Sequence, residues 1–240
     1  MPSTYTYAEL INHAQSIVKG IPISTISALA VDQLNSMIWM AYPWKWTRTP
    51  LTAIPLVDST QDYSVDAADT RFHSLLLARI TLTSSTPNQY RDLRVTRHLE
   101  PSLFSKITWP NFQLISFENE VNKLRLESAV QVPSGLTMRI NGEYKLTPLK
   151  LTNLASTIVF PDHYANVFVN GILWMLYRLA NDDRAGTAVL QKNVVQYTGQ
   201  LGVFYDSLVM VKDAEESGIG DTVYPEESIG APSLYLPGVF

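Results

Sequence analysis

The segment that most constrains the fold is VFVNGILWMLYRLA, Val167 to Ala180, because its apolar residues do not form a single stripe. At 100° per residue, Phe168, Trp174 and Tyr177 project to different sides of a helix. A helix that is apolar all round is buried on every side. The segment is too short to span a bilayer, which takes about 20 residues, and Arg178 interrupts it. We therefore expect a central helix, or one whose burial is completed by a neighbouring subunit.

Two helices are predicted near the N-terminus. Thr6 stands three residues before Glu9, in the T-x-x-E pattern of a capping box, so the first helix begins there. Its apolar stripe comprises Leu10, Ala14, Ile17, Val18 and Ile21. A second helix is predicted to follow Ser24 as its cap and to end at Pro43. Its apolar stripe comprises Ile26, Leu29, Ala30, Met37, Ile38 and Ala41.

After Trp46 the pattern changes to short runs with a period of two residues, punctuated by proline. Runs rich in Thr, Val, Ile and Leu with this period predict strands. The runs are ARITLTS (78–84), DLRVTRH (92–98), FQLISFE (112–118), NKLRLES (122–128) and LTMRINGEYKL (136–146). Glu118 to Asn122 is predicted to be a hairpin turn. We expect a small antiparallel sheet or barrel.

The last helix is predicted to start after a turn at ANDDRAG, Ala180 to Gly186, and to end near Lys212. A 4-3 spacing predicts the a/d seam of a packed helix pair. The seam comprises Leu190, Val194, Tyr197, Leu201, Phe204, Leu208 and Val211. Gly199 and Gly202 each cost about 1 kcal/mol in a helix relative to alanine. Either a close approach by another helix or subunit, or a local distortion, explains them.

The predicted fold class is α+β. Residues 1–46 and 160–216 form a helical bundle, and residues 47–159 form an inserted antiparallel β domain. Residues 217–240 form an extended arm, because their Gly, Pro, Ser and acidic content prevents independent folding. The arm nevertheless carries apolar and aromatic residues that suit docking in a groove on another protein, although a tail without a binding role is the alternative. They are Tyr224, Leu234, Tyr235, Leu236, Val239 and Phe240.

Composition excludes several classes of protein. None of the 240 residues is cysteine, so disulfides, thiolate zinc sites and cysteine catalysis are absent. The first residues, MPSTYTYAEL, lack the basic and apolar regions of a signal peptide, so we expect none. The net charge is −4, but the nine acidic and three basic residues from Asp182 onward give that part −6. Such a charge argues against tight nucleic-acid binding by this part.

No catalytic, cofactor or metal site is predicted. Phosphate-binding loops, G-x-S-x-G, H-E-x-x-H and EF-hand patterns are all missing from the sequence. The histidines His13, His73, His98 and His163 stand alone. Of two carboxylate pairs, Asp182 and Asp183 are expected to include a helix cap, and Glu118 and Glu120 to lie in a solvated turn. An enzyme, most plausibly a cell-wall hydrolase using one such pair, is kept as an alternative.

Two further groups of residues bear on partners. Arg91, Arg94 and Arg97 are interpreted as the charged edge of a strand, with a contact to DNA phosphates as the weaker alternative. Trp44 and Trp46 are expected in the core, beside Trp39. Aromatic residues are enriched in interfaces, so Trp174 and Tyr177 suit a subunit interface as well as a core, and part of the C-terminal helix pair is predicted to contact a neighbouring subunit. These residues are Trp174, Tyr177, Tyr197, Leu201, Phe204 and Leu208.

The order of these parts resembles the head-to-tail adaptor, or connector, proteins of tailed bacteriophages, the group that includes the podovirus tail accessory factor. TYAELINHAQSIVKGI followed by LNSMIWMAYPWKW is similar to their N-terminal helix pair ending in a Trp motif. LTMRINGEYKLTPL, then PDHY, the apolar helix, the acidic turn and the long helix resemble their most recognisable section. The resemblance covers about Thr4 to Glu216, and the strand region is longer than in minimal adaptors.

The resemblance implies a structural virion protein at the head–tail junction, assembled in the host cytoplasm. Such adaptors form rings, commonly of twelve copies, dock on the portal through C-terminal segments, extend the DNA channel and support nozzle or fibre proteins. DNA would pass through without specific binding. A tail nozzle or completion ring without portal contact is the alternative within the same structural class.

Overall fold

The structure, a computed structural model, describes residues 4–21, 26–82, 89–97, 113–118, 121–132, 134–191 and 194–217. These residues divide into two compact units. The helical unit contains residues 4–46 and 148–217, and the β unit contains residues 47–147. Together the units contain four α-helices and a large sheet, which confirms the α+β class. Of the predicted arm, residues 217–240, Ser217 is the last residue of the C-terminal helix and residues 218–240 lie outside the described residues.

The first two helices are α1, Tyr7–Ile17, and α2, Ala28–Ala41. The capping box of α1 is confirmed, because the Glu9 amide donates to Thr6 Oγ1 at 3.2 Å and the Thr6 amide donates to Glu9 Oε2 at 2.8 Å. Helix α2 is capped by Ser27, whose Oγ accepts from the Ala30 amide, and not by Ser24 as predicted. Ser27 is the cap because the helix begins at the next residue, Ala28. Ser24 lies outside the described residues.

The burial predicted for two residues of the apolar stripes is wrong. Ile17 and Leu29 are exposed, whereas their neighbours Ala14 and Val31 are buried. Ile17 is the last residue of α1, and Leu29 lies in the first turn of α2. Residues at the ends of a helix extend beyond the core that the middle of the helix covers, so periodicity alone overestimates their burial.

The central helix is α3, Ala165–Leu179, preceded by a 3-10 turn at Asp162–Tyr164. Helices α1, α2 and the last helix, α4 (Gly199–Ser217), all contact α3. Its buried residues are Val167, Phe168, Val169, Gly171, Ile172, Leu173, Trp174 and Leu176. Burial on most sides of the helix is therefore confirmed and is achieved inside one chain, although Tyr177 is only partly buried and Leu179 is 57% exposed.

The first half of the predicted C-terminal helix is wrong. The segment instead contains two strands that pair as an antiparallel hairpin, β9, Ala188–Gln191, and β10, Val194–Tyr197. The helix begins only at Gly199. The spacing from Leu190 to Val194 matched a helical seam by coincidence, but β-branched residues around it favour a strand. They are Thr187, Val189, Val194, Val195 and Thr198.

Residues 148–159, which the sequence assigned to the β domain, belong to the helical unit. Thr157 forms an isolated antiparallel bridge with Thr6 just before α1. The Leu151 amide donates to the Asp32 carboxylate of α2 at 2.6 Å. This segment therefore holds α1 and α2 beside α3 through backbone hydrogen bonds, a role that leaves no periodic signature in sequence.

The β unit contains the strands β1 to β8 in the part of the chain described. Their bounds are Arg48–Pro50, Ile54–Pro55, Asp62–Ser64, Phe72–Leu82, Gln89–Arg97, Gln113–Glu118, Lys123–Leu126 and Met138–Leu146. The order across the sheet is β1-β8-β4-β5-β6-β7-β3, and β2 also pairs with β8. Each of the five predicted runs overlaps one of these strands, although β4 and β5 begin before their runs do.

Pairing in this sheet departs from the prediction at one point. The hairpin between β6 and β7 is confirmed, with Glu118 opposite Lys123. Strands β5 and β6, however, run parallel, with Leu93 opposite Gln113, so the sheet is mixed and not purely antiparallel. Parallel neighbours need a long connection, and residues 98–112, which join these strands, are long enough to supply one. A period-two pattern of apolar residues is the same in parallel and in antiparallel strands, so it does not predict the direction of pairing.

The arginine-rich strand is also corrected. Strand β5 lies inside the sheet, but its residues 89–93 pair with β4 and its residues 93–97 pair with β6. Arg91 is therefore in the register with β4 alone, and Arg94 and Arg97 are in the register with β6 alone. Side chains alternate between the two faces of a strand, so Arg94 lies on the face opposite Arg91 and Arg97. The three arginines therefore do not form one basic patch.

Candidate interaction surfaces

Four of the six residues predicted at a subunit interface lie in the core of the helical unit. Trp174 is 4% exposed, and Leu201, Phe204 and Leu208 are buried with it. The Trp174 and Phe204 rings stack with planes 9° apart and centroids 6.0 Å apart, which fixes α4 against α3. A contact with a second subunit through these four side chains would require them to leave this core. The role predicted for them stays a prediction.

The other two residues, Tyr177 and Tyr197, are partly exposed. The Arg184 guanidinium lies 4.6 Å from the centre of the Tyr177 ring, a cation–π contact. Tyr197 packs on Tyr205 of α4 with ring centroids 4.4 Å apart. Both tyrosines thus border the β9–β10 hairpin, and of the six residues they are the two with surface left for a partner.

Two glycines fasten the base of the hairpin. Gly186 and Gly199 adopt φ of +73° and +58°, which L-residues rarely adopt. A Cβ added to Gly199 would lie 2.7 Å from Gly186 Cα, and one on Gly186 would collide with the Thr198 carbonyl. The close approach anticipated for Gly199 is therefore to the chain's own backbone. Thr198 adds a hydrogen bond from its amide to the Thr187 carbonyl at 2.9 Å.

The free end of the hairpin is apolar and exposed, a feature that the helical interpretation of this segment missed. Leu190 is 68% exposed and Val194 is 60% exposed. Leu190 lies opposite Val195, and Val194 lies opposite Gln191. The signal in the sequence was the alternation of β-branched residues between two glycines, Gly186 and Gly199.

The last turn of α4 is tied to the aromatic cluster that follows α2. The Tyr164 hydroxyl donates to Glu215 Oε1, and the Lys45 amide donates to Glu215 Oε2 at 3.0 Å. The Tyr42 hydroxyl donates to Glu216 Oε1 at 3.0 Å. Burial, and then the Glu215 carboxylate, raises the pKa of Tyr164 well above its usual range, so it remains a donor. These bonds fix the direction in which the chain leaves α4.

Trp44 and Trp46 of YPWKW, predicted in a core where the bundle meets the sheet, pack in this cluster inside the helical unit. Trp44 is fully buried and donates from Nε1 to the Ile38 carbonyl at 2.6 Å. Trp46 meets the Tyr164 ring edge-on, with centroids 5.6 Å apart, and Trp39 at 4.8 Å. The cluster is therefore the surface against which Glu215 and Glu216 are held.

Of the carboxylates considered for catalysis, Asp182 has structural partners. Asp182 accepts from the Arg184 amide and side chain at 2.8–2.9 Å and caps the 3-10 turn Asp183–Ala185. These hydrogen bonds lower the pKa of Asp182 to about 2. Glu118 pairs across the β6–β7 hairpin, and Glu120 lies outside the described residues. One of the two aspartates was predicted to cap the long C-terminal helix; Asp182 instead caps this short turn, because the helix begins only at Gly199.

Histidines are not gathered into a site. His13 and His163 are exposed, and His98 lies outside the described residues. His73 is partly buried, and burial, followed by Lys145 and Arg97, lowers its pKa. Within the described ranges no group of three or more His, Asp or Glu side chains could hold a metal ion. None of the helices described is long and apolar enough to cross a membrane.

Lys145 on β8 is a buried charge that sequence analysis did not single out. It is 5% exposed, and burial, with Arg48 beside it, lowers its pKa to about 8. Lys145 is opposite Arg48 on β1 and Ser74 on β4. Its neighbour Tyr144 donates to Asp69 Oδ1 at 3.2 Å, and Thr52 Oγ1 donates to the same atom. Neighbouring residues of a strand point to opposite faces of the sheet, so the Lys145 side chain and the group formed by Tyr144, Asp69 and Thr52 lie on opposite faces.

Comparison with known families shows to which family this chain belongs. The family model for SU10 adaptor protein matches residues 5–208. The chain belongs to the SU10 adaptor protein family. The resemblance to phage head-to-tail adaptors is thereby confirmed, and the protein is a structural head–tail connector. A search of the curated proteins found no match.

The matched residues include α1, α2, α3, both groups of strands and the first part of α4, within which the match ends. The SU10 adaptor match therefore contains the central helix α3, the hairpin and the buried Trp174–Phe204 pair. Residues 209–240, including Glu215, Glu216 and the apolar arm tip, follow the matched region.

Proposed function

We propose that this SU10 adaptor assembles into a ring at the head–tail junction and docks on the phage portal through its C-terminal arm. The ring, expected to contain twelve copies, extends the DNA channel and supports the next tail component. The observation that carries the proposal is the family match over residues 5–208. Assembly in the host cytoplasm and residence in the virion follow from this role.

The end of α4 supports docking by the arm. Glu215 and Glu216 are bonded to Tyr164, Lys45 and Tyr42, so the chain leaves the helical unit from a fixed position. The arm then offers Leu234, Leu236 and Phe240 to a partner. Burial of one such side chain contributes about 1.5–3 kcal/mol before the cost of ordering the segment.

Charge supports passage of DNA without tight binding. The chain from Asp182 onward carries −6, and α4 alone presents Asp206, Asp213, Glu215 and Glu216. A negative channel wall repels phosphates and so lets DNA slide. The arginines of β5, which could have favoured DNA binding, are divided between two faces of the sheet.

Binding to purified portal tests the docking step. Deletion of residues 218–240 should abolish portal binding while the circular dichroism spectrum of the helical and β units is retained. The sharper variant is Leu236→Asp with Phe240→Asp, compared with Ser228→Asp plus Ser233→Asp, which adds the same charge to the arm without removing apolar groups. We expect loss of binding for the first pair only. If the natural protein, the deletion variant and both double variants bound portal equally, the arm would have no docking role, and a nozzle ring without portal contact would be favoured.

A further inference from the structure

A row of polar and charged side chains crosses three neighbouring strands of the β unit. Strand β8 lies between β1 and β4 in the sheet. Lys145 of β8 is opposite Arg48 of β1 on one side and opposite Ser74 of β4 on the other. Residues that are directly opposite in antiparallel strands share a face, with Cβ atoms about 4.5–5.5 Å apart. The three side chains therefore lie next to one another on one face of the sheet.

An irregularity in β4 adds His73 to this row. Phe72 is opposite Leu146 and Ser74 is opposite Lys145, so His73 is an additional residue between two consecutive pairs, as in a β-bulge. Bulges re-aim a side chain and are over-represented next to functional sites. The charge of Lys145 acts on the imidazole, so the two side chains are close. We define the cationic row as Arg48, His73, Ser74 and Lys145.

The charges of the cationic row are alike and partly buried. Lys145 is 5% exposed, although Arg48 directly opposite carries the same charge. Like charges in directly opposite positions destabilise a pair of strands. Glu143 is the next residue of β8 on this face, yet the pKa of Lys145 is lowered, by burial and then by Arg48, so the Glu143 carboxylate does not neutralise the pair. An anion beside the row would stabilise it.

His73 supplies a second, independent observation. Its Nδ1 atom is buried and has no hydrogen-bond partner in the described part of the chain. A buried nitrogen of this kind calls for a partner, which an ion can provide. Burial, followed by Lys145 and Arg97, lowers the pKa of His73. The ring is therefore neutral at pH 7 and has one N–H group, which donates to an anion when the proton is on Nδ1.

We propose that the cationic row binds a doubly charged tetrahedral oxyanion, such as sulfate or phosphate. The two charges of Arg48 and Lys145 match those of the anion, and donors from four side chains match its four oxygens. A guanidinium has five N–H donors and an ammonium three, so each can bind the anion in addition to its neighbours in the protein. A carboxylate, with one charge and two oxygens, fits the row less well.

The position of the row allows an anion to enter. Arg48, His73 and Ser74 are partly exposed, whereas Lys145 is buried, so the anion reaches Lys145 from the side of the other three. All four residues belong to the β unit. The proposed site therefore does not depend on the ring or on the arm.

NMR signals of the imidazole rings in the full, untagged chain test the site. The chain has four histidines, and His73→Asn identifies the signals of His73. At pH 7, sodium sulfate should shift these signals along a saturable curve, and sodium chloride at equal ionic strength should not. Sodium acetate should bind about tenfold more weakly, because it carries half the charge. The exposed His13 and His163 are internal controls and should not respond.

Substitutions in the row locate the binding site. Lys145→Met should weaken sulfate binding about tenfold or more, since it removes a charge and its hydrogen bonds. Lys150→Met is the matched control, because Lys150 is exposed five residues later, and it should bind like the natural protein. Arg48→Met removes the second cation at a partly exposed position and should weaken binding as much as Lys145→Met. Circular dichroism shows whether each variant is folded.

The results can overturn the proposal in two ways. If neither sulfate nor phosphate gave a saturable shift of His73, or if Arg48→Met and Lys150→Met bound sulfate equally, the cationic row would not be an anion site. If acetate bound as tightly as sulfate, the ligand would not be a tetrahedral dianion. None of these results bears on the ring, which electron microscopy with portal tests separately.

Discussion

Trp174 of α3 and Phe204 of α4 stack face to face, with ring planes 9° apart and centroids 6.0 Å apart. Phe204 also meets the one position on α3 without a side chain, since a Cβ on Gly171 would lie 3.1 Å from the Phe204 ring. The last helix is thus fixed to the central helix by an aromatic pair in the core. This pair explains why residues that suggested a subunit interface are buried within one chain.

Replacing Phe204 by alanine should destabilise the helical unit. Truncation of a buried phenylalanine leaves a cavity and costs about 3–5 kcal/mol. Met210→Ala, on the exposed side of the same helix, should change the free energy of unfolding by about 0.5 kcal/mol or less. Urea unfolding followed by tryptophan fluorescence reports on this unit, which contains Trp39, Trp44, Trp46 and Trp174. Equal effects of the two substitutions would contradict the packing described.

Gly199→Ala should be more costly than an ordinary glycine substitution. The new Cβ would lie 2.7 Å from Gly186 Cα and 2.8 Å from the Arg184 carbonyl oxygen, at a φ of +58°. Gly20→Ala is the matched control, because Gly20 has φ +76° and nothing within 4 Å of its Cβ position. We expect a loss of about 1 kcal/mol for Gly20→Ala and about 2–4 kcal/mol for Gly199→Ala. If the two variants lost the same free energy of unfolding in urea, the backbones of Gly186 and Gly199 would be farther apart in solution than the distance described.

Lys145 should make stability rise with pH. In the folded chain its pKa is lowered to about 8, from 10.5 in the unfolded chain. Between these values the unfolded state binds the additional proton, so the free energy of unfolding increases with pH. We expect a rise of about 1–2 kcal/mol between pH 8 and 9.5. The upper limit avoids the tyrosines, since Tyr7 and Tyr144 have a folded pKa of about 12 and titrate near 10 when unfolded.

Lys145→Met should remove this rise, whereas Lys150→Met, at an exposed position, should retain it. Urea unfolding followed by circular dichroism at pH 8 and 9.5 gives the comparison. An unchanged pH dependence in Lys145→Met would mean that Lys145 is solvated in solution.

Removing the carboxylate of Glu215 should loosen the end of α4. Glu215→Gln weakens the hydrogen bonds from Tyr164 and the Lys45 amide, and such bonds to a charged group contribute about 1.5–3 kcal/mol. Amide hydrogen exchange in the last turn of α4 should become faster, with no change in the first turn. Asp213→Asn, which removes an exposed charge two residues earlier, is the control and should leave exchange as it was.

Local signals in the sequence predicted most of the secondary structure. The capping box of Thr6 and Glu9, the five strand runs and the burial of α3 on most sides follow from side-chain period and backbone hydrogen bonding at short range. The hairpin at 188–197 was missed because four-residue spacing from Leu190 to Val194 fits a helix as well as a strand with a turn. There the decisive feature was the contact between Gly186 and Gly199, which are distant in sequence.

Contacts between residues that are far apart in the chain could not be predicted from local sequence patterns. The parallel pairing of β5 with β6 and the packing of residues 148–159 with α1 depend on backbone hydrogen bonds that any side chain allows. Composition likewise did not distinguish a tryptophan in the core, Trp174, from one at an interface. The family was apparent because the order of its elements survives in the sequence, and the interfaces of the ring stay predictions because one chain contains only half of each.

Electron microscopy of the purified protein mixed with purified phage portal tests the central claim most directly. The account predicts a ring of this protein on one face of the portal, with density from residues 234–240 in grooves of the portal. A folded protein that leaves the portal bare would contradict it.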